Sequence, residues 1–440
     1  MSEATPFEWC DLNFGQLCQR IVNGGTPPTD VGIFWNGTMP WVTGADFTSK
    51  GIGHIRRFVS DAGIRASATS VVKAGNLLVV TRTGVGKLAI APFDIAISQD
   101  ISGIYIDGEK AVTNFVYHLL TRELEELKKL NQGTSINGII RSDLERHVVR
   151  LPKCKSAQLH IAAILTSIDT AIEKTETLIA KYQQIKAGLM HDLFTRGVLP
   201  NGQLRPPREQ APELYQETVI GWIPRAWGVA RLETILRKSG GHLQTGPFGS
   251  QLHAHEYQTE GIPVVMPQDI NEGKIGTESI ARISERRALS LAKHQLKIGD
   301  IIIARRGELS RAAAVSEDEQ GWLCGTGCFL LRLGRTDLNH FFFSHIYRYD
   351  YIQRQIAGTQ VGTTMPSLNN SVMGRVFFPC PTPNEQKEIS NRLSNAEAEV
   401  NNLRNHAKKL KLQKLGLMQD LLTGKVQVKV HEPTPELLHA

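Results

Sequence analysis

At 440 residues, with 41% hydrophobic and 21% charged residues, the chain has an ordinary globular composition and length for about three domains. Its net charge of +7 points only mildly to an anionic partner, and residues 1–152 balance 15 Lys/Arg against 15 Asp/Glu, so any nucleic-acid grip must come from a local basic face. No run approaches the roughly 18–20 apolar residues of a membrane span, Met1 to Trp9 lacks a basic-then-apolar leader, and six scattered cysteines oppose a disulfide framework, so a cytoplasmic protein without membrane association is expected.

In chain order, residues 9–152 read as a β-rich region. Its short strand candidates are Asn76–Val80, Leu88–Ile90 and Ile95–Ile97, broken by Gly, Asp and Asn, with one main helix candidate at Val112–Leu130. A long helix follows, and then Pro200–Pro212, whose four prolines in thirteen residues exclude helix or central strand and predict a partly extended connector. Residues 227–384 return to β-rich pattern with Ile262–Val265, Asp300–Ile303 and Gly327–Leu331, and a helix candidate at Leu338–Ile356. A second long helix closes the pattern.

The second half repeats the first. Gly188–Val198 and Gly416–Val426 share seven of eleven residues at an offset of 228. Trp9 echoes Trp227, Ala74–Val80 echoes Ile298–Ala304, Gly133-Thr134 echoes Gly358-Thr359, and Val149–Pro152 echoes Val376–Pro379. The period far exceeds the 20–50 residues of a solenoid unit, so the chain reads as one α+β domain plus one helix, used twice. The expected boundaries are a first domain at 1–153, a central helix at 154–198, a Pro-rich connector at 199–219, a second domain at 220–384, a C-terminal helix at 385–428 and a tail at 429–440.

Both helices carry apolar residues at alternating steps of four and three. One column runs Ile161, Leu165, Ile168, Ile172, Thr175, Ile179, Tyr182, Lys186, Leu189, Leu193; the other runs Ile389, Leu393, Ala396, Val400, Leu403, Ala407, Leu410, Lys414, Leu417, Leu421. Such a seam seeks another helix, and two copies on one chain suggest an antiparallel coiled coil in a pseudo-twofold molecule. Ile164, Ala171, Leu178 and Ile185 widen the apolar face of the first helix, which predicts burial on two sides. Lys186 and Lys414 are expected to snorkel out of the seam, with pairing to a partner's carboxylate as the alternative. A helix of about 31 residues spans roughly 46 Å, against about 34–36 Å per turn of B-DNA, so the spacing suits two DNA half-sites a little over a turn apart.

Specific motifs sharpen this reading. Gly246-Pro-Phe-Gly-Ser-Gln-Leu-His-Ala-His-Glu-Tyr257 with Gly261-Ile-Pro-Val-Val265, Gly299–Gly307, Met365–Asn369 and Pro379–Gln386 resemble the target recognition domains of type I restriction–modification specificity subunits. The duplicated Gly-Leu-Met-x-Asp-Leu ends (188–193 and 416–421) resemble that family's helix ends, and the likeness runs from about Trp9 to Val428. The first copy departs from it, with Gly24-Gly-Thr-Pro27 and Gly133–Asn137 in place of the two signature motifs. The resemblance implies a non-catalytic, DNA-binding subunit with two target recognition domains, each reading half of a bipartite site. It also implies two methyltransferase and two motor–nuclease subunits as partners. No cofactor is expected on this chain; S-adenosylmethionine, ATP and Mg are expected in the partners. A stand-alone DNA-binding regulator or a coiled-coil scaffold is the alternative.

Base reading needs Arg or Lys for guanine and Asn or Gln for adenine. The basic loops after the strands supply Arg82 and Lys87 in the first copy and Arg305, Arg306 and Arg311 in the second. Thr43 and Asp46, and Gln268 and Asn271, form a second pair of candidates, with ordinary loop capping as the competing role; Lys238, His242 and Thr245 are candidate phosphate contacts. Leu189, Met190, Asp192 and Leu193, and Leu417, Met418, Asp420 and Leu421, are candidates for docking the methyltransferase. Gly84-Val-Gly-Lys87 lacks the flanking residues of a phosphate loop, and neither His253-Ala-His255-Glu256 nor Cys324 with Cys328 has a second cluster at metal-binding spacing, so no metal and no catalytic centre is expected.

Overall fold

The computed structural model describes residues 7–48, 51–82, 85–130, 138–139, 141–359 and 367–429. The motif Gly133–Asn137, Gly84 and the Met365-Pro366 start of the second motif lie outside the described residues. The chain forms two compact units: Met1–Thr177 with Arg404–Ala440, and Leu178–Leu403.

In the first unit, Cys18–Asn23, Ile101–Ile106, Leu77–Val80 and Leu88–Ile90 lie side by side in an antiparallel sheet. Arg57–Val59, Met39–Val42, Ile95–Ile97 and Ser70–Val72 form another, in which Met39–Val42 and Ile95–Ile97 run parallel. Leu77–Val80 is buried on both faces, so it reads as a continuous apolar run rather than an alternation. The helix Thr113–Leu130 lays Phe115, Val116, Leu119 and Leu120, all fully buried, against this sheet. Trp9–Asn13 pairs antiparallel with Val148–Pro152 and closes the domain.

The second unit repeats the plan. His242–Thr245, Cys328–Arg332, Ile301–Ala304 and Ala312–Ala314 form the antiparallel sheet. Ala281–Ile283, Ile262–Val265 and Leu323–Cys324 form the other, again with a parallel pair, and a single bridge from Gln295 to Leu323 stands where the first unit has a fourth strand. Gly228–Arg231 pairs with Phe377–Cys380. The helix expected over Leu338–Ile356 is two helices, His340–Tyr347 and Asp350–Gly358; Tyr349 adopts extended backbone between them and caps the second. Continuous apolar pattern across the junction hides that break, because both pieces face the same core.

The long helices are Lys155–Thr195 and Pro383–Leu421. Within each unit a stretch of one runs antiparallel to a stretch of the other. Lys414 pairs with Asp169 and Lys411 with Glu176 in the first unit, and Lys186 pairs with Glu397 in the second. Seam residues Ile161, Leu165, Ile389, Leu393 and Val400 are buried, each fully buried aliphatic side chain contributing about 1.5–3 kcal/mol. Two expectations are corrected. Ile164, Leu178 and Ile185 are 38%, 43% and 50% exposed, so the central helix is covered along its seam and not along this flank. The seam lysines do not snorkel; each reaches a carboxylate of the opposite helix, since an ammonium that is mostly covered gains more from a partner than from thin solvation.

The connector is more than extended chain. Arg205 within it forms a buried bidentate pair with Glu385 in the first turn of the C-terminal helix, and Glu385 Oε1 also accepts the Val198 N–H at 2.8 Å. Tyr215–Thr218 and Gly221–Pro224 then fold as a hairpin. At each helix end a glycine with positive φ packs under a tryptophan: Gly197 (φ 63°) against Trp227 and Gly424 (φ 75°) against Trp9, leaving no room for a Cβ.

Candidate nucleic-acid interface

One end of both sheets gathers most of the candidate residues, and the same backbone bonds build it twice. In the first domain Gly24 donates to Ile101, Ser98 to Val42, Thr81 to Asp100 and Ile139 to Thr81. In the second, Gly246 donates to Cys328, Gly325 to Val265, Arg305 to Gly327 and Leu368 to Arg305. The loops that meet are therefore 24–28, 43–48, 81–82 with 85–87, and 98–100 in one copy, and 246–252, 266–271, 305–311, 325–327 and 367–369 in the other. Approach is close: a Cβ on Gly246 would lie 1.9 Å from the Gly325 carbonyl oxygen, and one on Gly24 would lie 2.1 Å from that of Ile97.

Thr43–Asp46 and Met266–Asp269 are the same 3₁₀ turn. The buried carboxylates of Asp46 and Asp269 each accept the backbone N–H three residues back at 2.8 Å, from Thr43 and Met266. Asp46 thus serves as a cap, which answers to the competing role considered for it. Burial raises the Asp269 carboxyl above its usual value. Burial acts on Asp46 in the same direction, but the Arg56 guanidinium and the Thr43 N–H and hydroxyl outweigh it and hold the carboxyl below its usual value.

Lys87 and Arg311 occupy equivalent places and brace these turns from beneath. Lys87 Nζ donates to the Phe47 and Gly44 carbonyls at 2.7 and 3.3 Å. Arg311 Nη1 reaches the carbonyls of Pro267, Gln268 and Ile270, each at 3.3 Å, and Asn271 Oδ1 at 3.0 Å. Asn271 in turn donates to the Gln268 carbonyl at 3.1 Å. These groups shape the loop from within. Thr43, half-buried, is engaged with Asp46 and Arg56, while Gln268 is exposed at the rim.

Arg305 and Arg306 diverge. Arg305 is half-buried over the Phe329 ring, 5.6 Å from its centroid, and donates to the Leu368 carbonyl; desolvation and the neighbouring Arg306 lower its pKa. Arg306 is exposed beside Ser367. The first copy has buried Thr81 in the Arg305 position and exposed Arg82 in the Arg306 position. Arg82 and Arg306 are therefore the outward cations of the two edges.

The sheet register separates the remaining candidates. His242 pairs with Arg332 and Thr245 with Phe329, so Thr245 adjoins the Gly246 loop while His242 lies at the opposite end of the strand. Lys238, at the end of the helix Leu232–Ser239, lines a groove there with Arg335 and Asp337. The structure does not bring Lys238 and His242 to the loop edge. It does bring two residues that the sequence reading left out of the candidate list. Phe248 is 55% exposed at the tip of the glycine loop, and exposed Gln99 accepts a hydrogen bond from Thr26 on the edge of the first domain. A bulky aromatic between glycines and an amide just past a buried strand were the available signals.

Among the docking candidates, Leu193, Met418 and Leu421 are buried in the cores of their units, and Leu189, Met190 and Leu417 pack against those cores half-buried. Asp192 faces Arg196 at 3.2 Å and Asp420 faces Lys425 at 3.8 Å. His253 and His255 stack with ring centroids 5.5 Å apart, while Glu256 caps the turn and pairs with Arg287. Burial pushes the Cys324 and Cys328 thiols up. Among the described residues no group of three His, Cys, Asp or Glu side chains could hold a metal, and no helix is long and apolar enough to cross a membrane.

The sequence model of the type I restriction modification DNA specificity domain matches residues 6–184 and 247–414. The chain is 24% identical over 334 residues to the MjaVIII specificity subunit of Methanocaldococcus jannaschii, covering 74% of this chain and 73% of that one. It is 23% identical over 384 residues to the MjaIX specificity subunit of the same organism, covering 86% and 84%. The EcoBI specificity subunit of Escherichia coli is 21% identical over 329 residues, covering 70% and 66%. Among solved structures, the S subunit of a type I restriction–modification system from M. genitalium shares the fold with a TM-score of 0.62 at 18% identity, over 96% of this chain and 98% of that one. A chain from a study of complex assembly and conformational transition of the type I system gives 0.52 at 17% identity, over 97% and 100%.

Proposed function

Because the chain belongs to the type I restriction–modification DNA specificity family, we propose that it reads a bipartite DNA site, one half per domain, for a modification and restriction complex. The observation that carries this reading is the duplicated loop edge, where the same backbone bonds present Arg82 in one copy and Arg306 in the other. Two like surfaces on one chain suit a split target. The neutral first domain fits a few local contacts better than a broad basic field. Arg82 and Arg306, with Gln268, are the proposed base-reading side chains. Thr43, Asp46, Lys87, Asn271, Arg305 and Arg311 shape the loops that present them. Thr245 borders the edge and is the remaining phosphate candidate.

The chemistry is proposed to reside in partners: two methyltransferase subunits using S-adenosylmethionine and two motor–nuclease subunits using ATP and Mg. In the second unit, the flank of the central helix with Leu178 and Ile185 supports docking of another chain, since these apolar residues stand one heptad apart and exposed. Asp192, one heptad beyond Ile185 on the same helix, extends that surface.

Domain exchange tests the reading. Residues 7–152 replaced by the corresponding domain of a relative should change one half of the methylated motif and leave the other half intact, as read by methylome sequencing. A change in both halves, or no site-specific methylation on co-expression with the methyltransferase, would overturn it.

A further inference from the structure

The two recognition domains are built alike but are not tied alike to the long helices. In each, a buried histidine from the domain meets a hydroxyl and a carboxylate on one long helix and a lysine on the other. His118 lies 3.0 Å from Thr166 Oγ1 and 3.8 Å from Asp169, which pairs with Lys414. His345 lies 3.4 Å from Ser394 Oγ and 3.7 Å from Glu397, which pairs with Lys186. Only the second cluster contains an arginine. Arg348, at the break between His340–Tyr347 and Asp350–Gly358, donates to Glu397 at 2.8 Å and bonds His345 Nδ1 at 2.7 Å. The first domain has Thr121 at the matching position, inside an unbroken helix.

Arg348 also reaches the recognition loop. Its guanidinium lies so close to Gly273 that a Cβ there would stand 2.8 Å from Nη2. Gly273 (φ 85°) and Glu272 (φ 48°) form the tip of the hairpin in which Ile270-Asn271 pairs with Lys274-Ile275. Glu272 is the one non-glycine residue with positive φ among the described residues, and its carboxylate is 4.0 Å from Lys186 Nζ. From the hairpin, Asn271 bonds the Gln268 carbonyl and Arg311 braces both. A continuous set of contacts thus runs from the helix seam, through Glu397 and Arg348, to the loop carrying Gln268.

We propose that Arg348 is a positioning residue for sequence reading by the second domain, holding the Gln268–Asn271 loop in a place set by the helix pair through Glu397. The proposal rests on the reading of this loop edge as a DNA surface. Glu397 is the junction: it accepts from Lys186 on the other helix and from Arg348 under the hairpin, so a shift of the seam moves the hairpin's support. Among the described residues domain one shows no such residue, with Thr121 at the matching position, so the dependence is confined to one half-site.

The test uses the full-length chain and a random duplex library, with the wild type first defining its split motif. Arg348→Met removes the guanidinium while keeping buried volume, and Glu397 keeps Lys186 at 3.0 Å as its partner, which protects folding. Base preference in one half of the motif should relax by about threefold to tenfold, with the other half unchanged. Arg348→Lys, which can still reach Glu397, should retain part of it, and hydrogen exchange at residues 271–275 should quicken in Arg348→Met while the sheet amides stay protected. A folded Arg348→Met variant with unaltered preference in both halves, or with equal relaxation in both, overturns the proposal. A wild-type chain that selects no split motif overturns the DNA reading itself, a result distinguishable from either.

Discussion

Lys414 lies 2.6 Å from Asp169, and the pair recurs 228 residues away, with exchanged helices, as Lys186 and Glu397 at 3.0 Å. The two differ in how far they are removed from water. Asp169 keeps 32% of its side chain exposed and Glu397 only 9%. Removing a carboxylate from a part-exposed pair, which water can still reach, costs about 1 kcal/mol, whereas stranding buried charge costs about 3–5 kcal/mol. Asp169→Ala is therefore expected to be mild, and Glu397→Ala, which leaves both Lys186 and Arg348 without their carboxylate, severe. Urea titration followed by probes in each unit measures the difference; equal losses would contradict it.

Acid should weaken both units as their buried histidines take up protons. Burial holds His118 and His345 neutral, lowering each from 6.5 to about 4. Asp169 raises the pKa of His118 and Lys414 lowers it; Glu397 raises that of His345 while Arg348 and Lys186 lower it. The unfolded chain takes up these protons below about pH 6.5 and the folded chain only near 4, so stability falls as pH drops through that window. Glu397, held below its usual 4.5 by its cationic neighbours despite burial, adds its loss only below the upper part of the range. His345→Leu should flatten melting temperature between pH 6.5 and 5; an unchanged slope would remove His345 as a source.

The glycine loop admits no side chain at one position and tolerates it at another. Gly246→Ala drives a Cβ into the Gly325 backbone, while a Cβ on Gly249 meets nothing within 4 Å. The first is expected to lose about 1–3 kcal/mol of stability and to weaken DNA binding, the second to do neither. Thermal melts and binding to the cognate duplex distinguish them.

Arg306 and Arg311 should separate reading from bracing. Arg306→Ala is expected to leave stability unchanged and lose about 1–3 kcal/mol of discrimination at one base position. Arg311→Ala removes bonds to three loop carbonyls and Asn271, so it should loosen the 267–271 loop and blunt discrimination across that half-site. Binding to single-base variants of the site reads both patterns.

Much of the architecture is visible in the residues. The offset between the Gly-Leu-Met-x-Asp-Leu segments predicts two copies, and the alternating columns from Ile161 and Ile389 predict the face each helix buries. Periodicity records which side chains are apolar, not which neighbours arrive. The Ile164–Ile185 flank therefore looks like a second buried face and is exposed in this chain. The helix break at Arg348 leaves no mark in the pattern because Tyr347 and Tyr351 both face the core across it. At the loop edge, residue chemistry marks Asp46, Lys87 and Arg311 as polar loop residues but cannot separate a side chain that points out from one that ties down its own loop. Register decides that, and it also carries His242 to the far end of the strand.

The unit that starts first is finished last. Residues 178–403 form the second unit as one uninterrupted stretch, whereas the first unit needs residues 404 onward. Met418, Leu421 and Leu422 join Ile161 and Leu165 in its core. At roughly 5–20 residues per second of synthesis, the leading domain waits about 10–45 s for that cover. During growth on the ribosome its incomplete apolar face stands open while a whole second domain is made, so the order of birth and the order of completion are opposite.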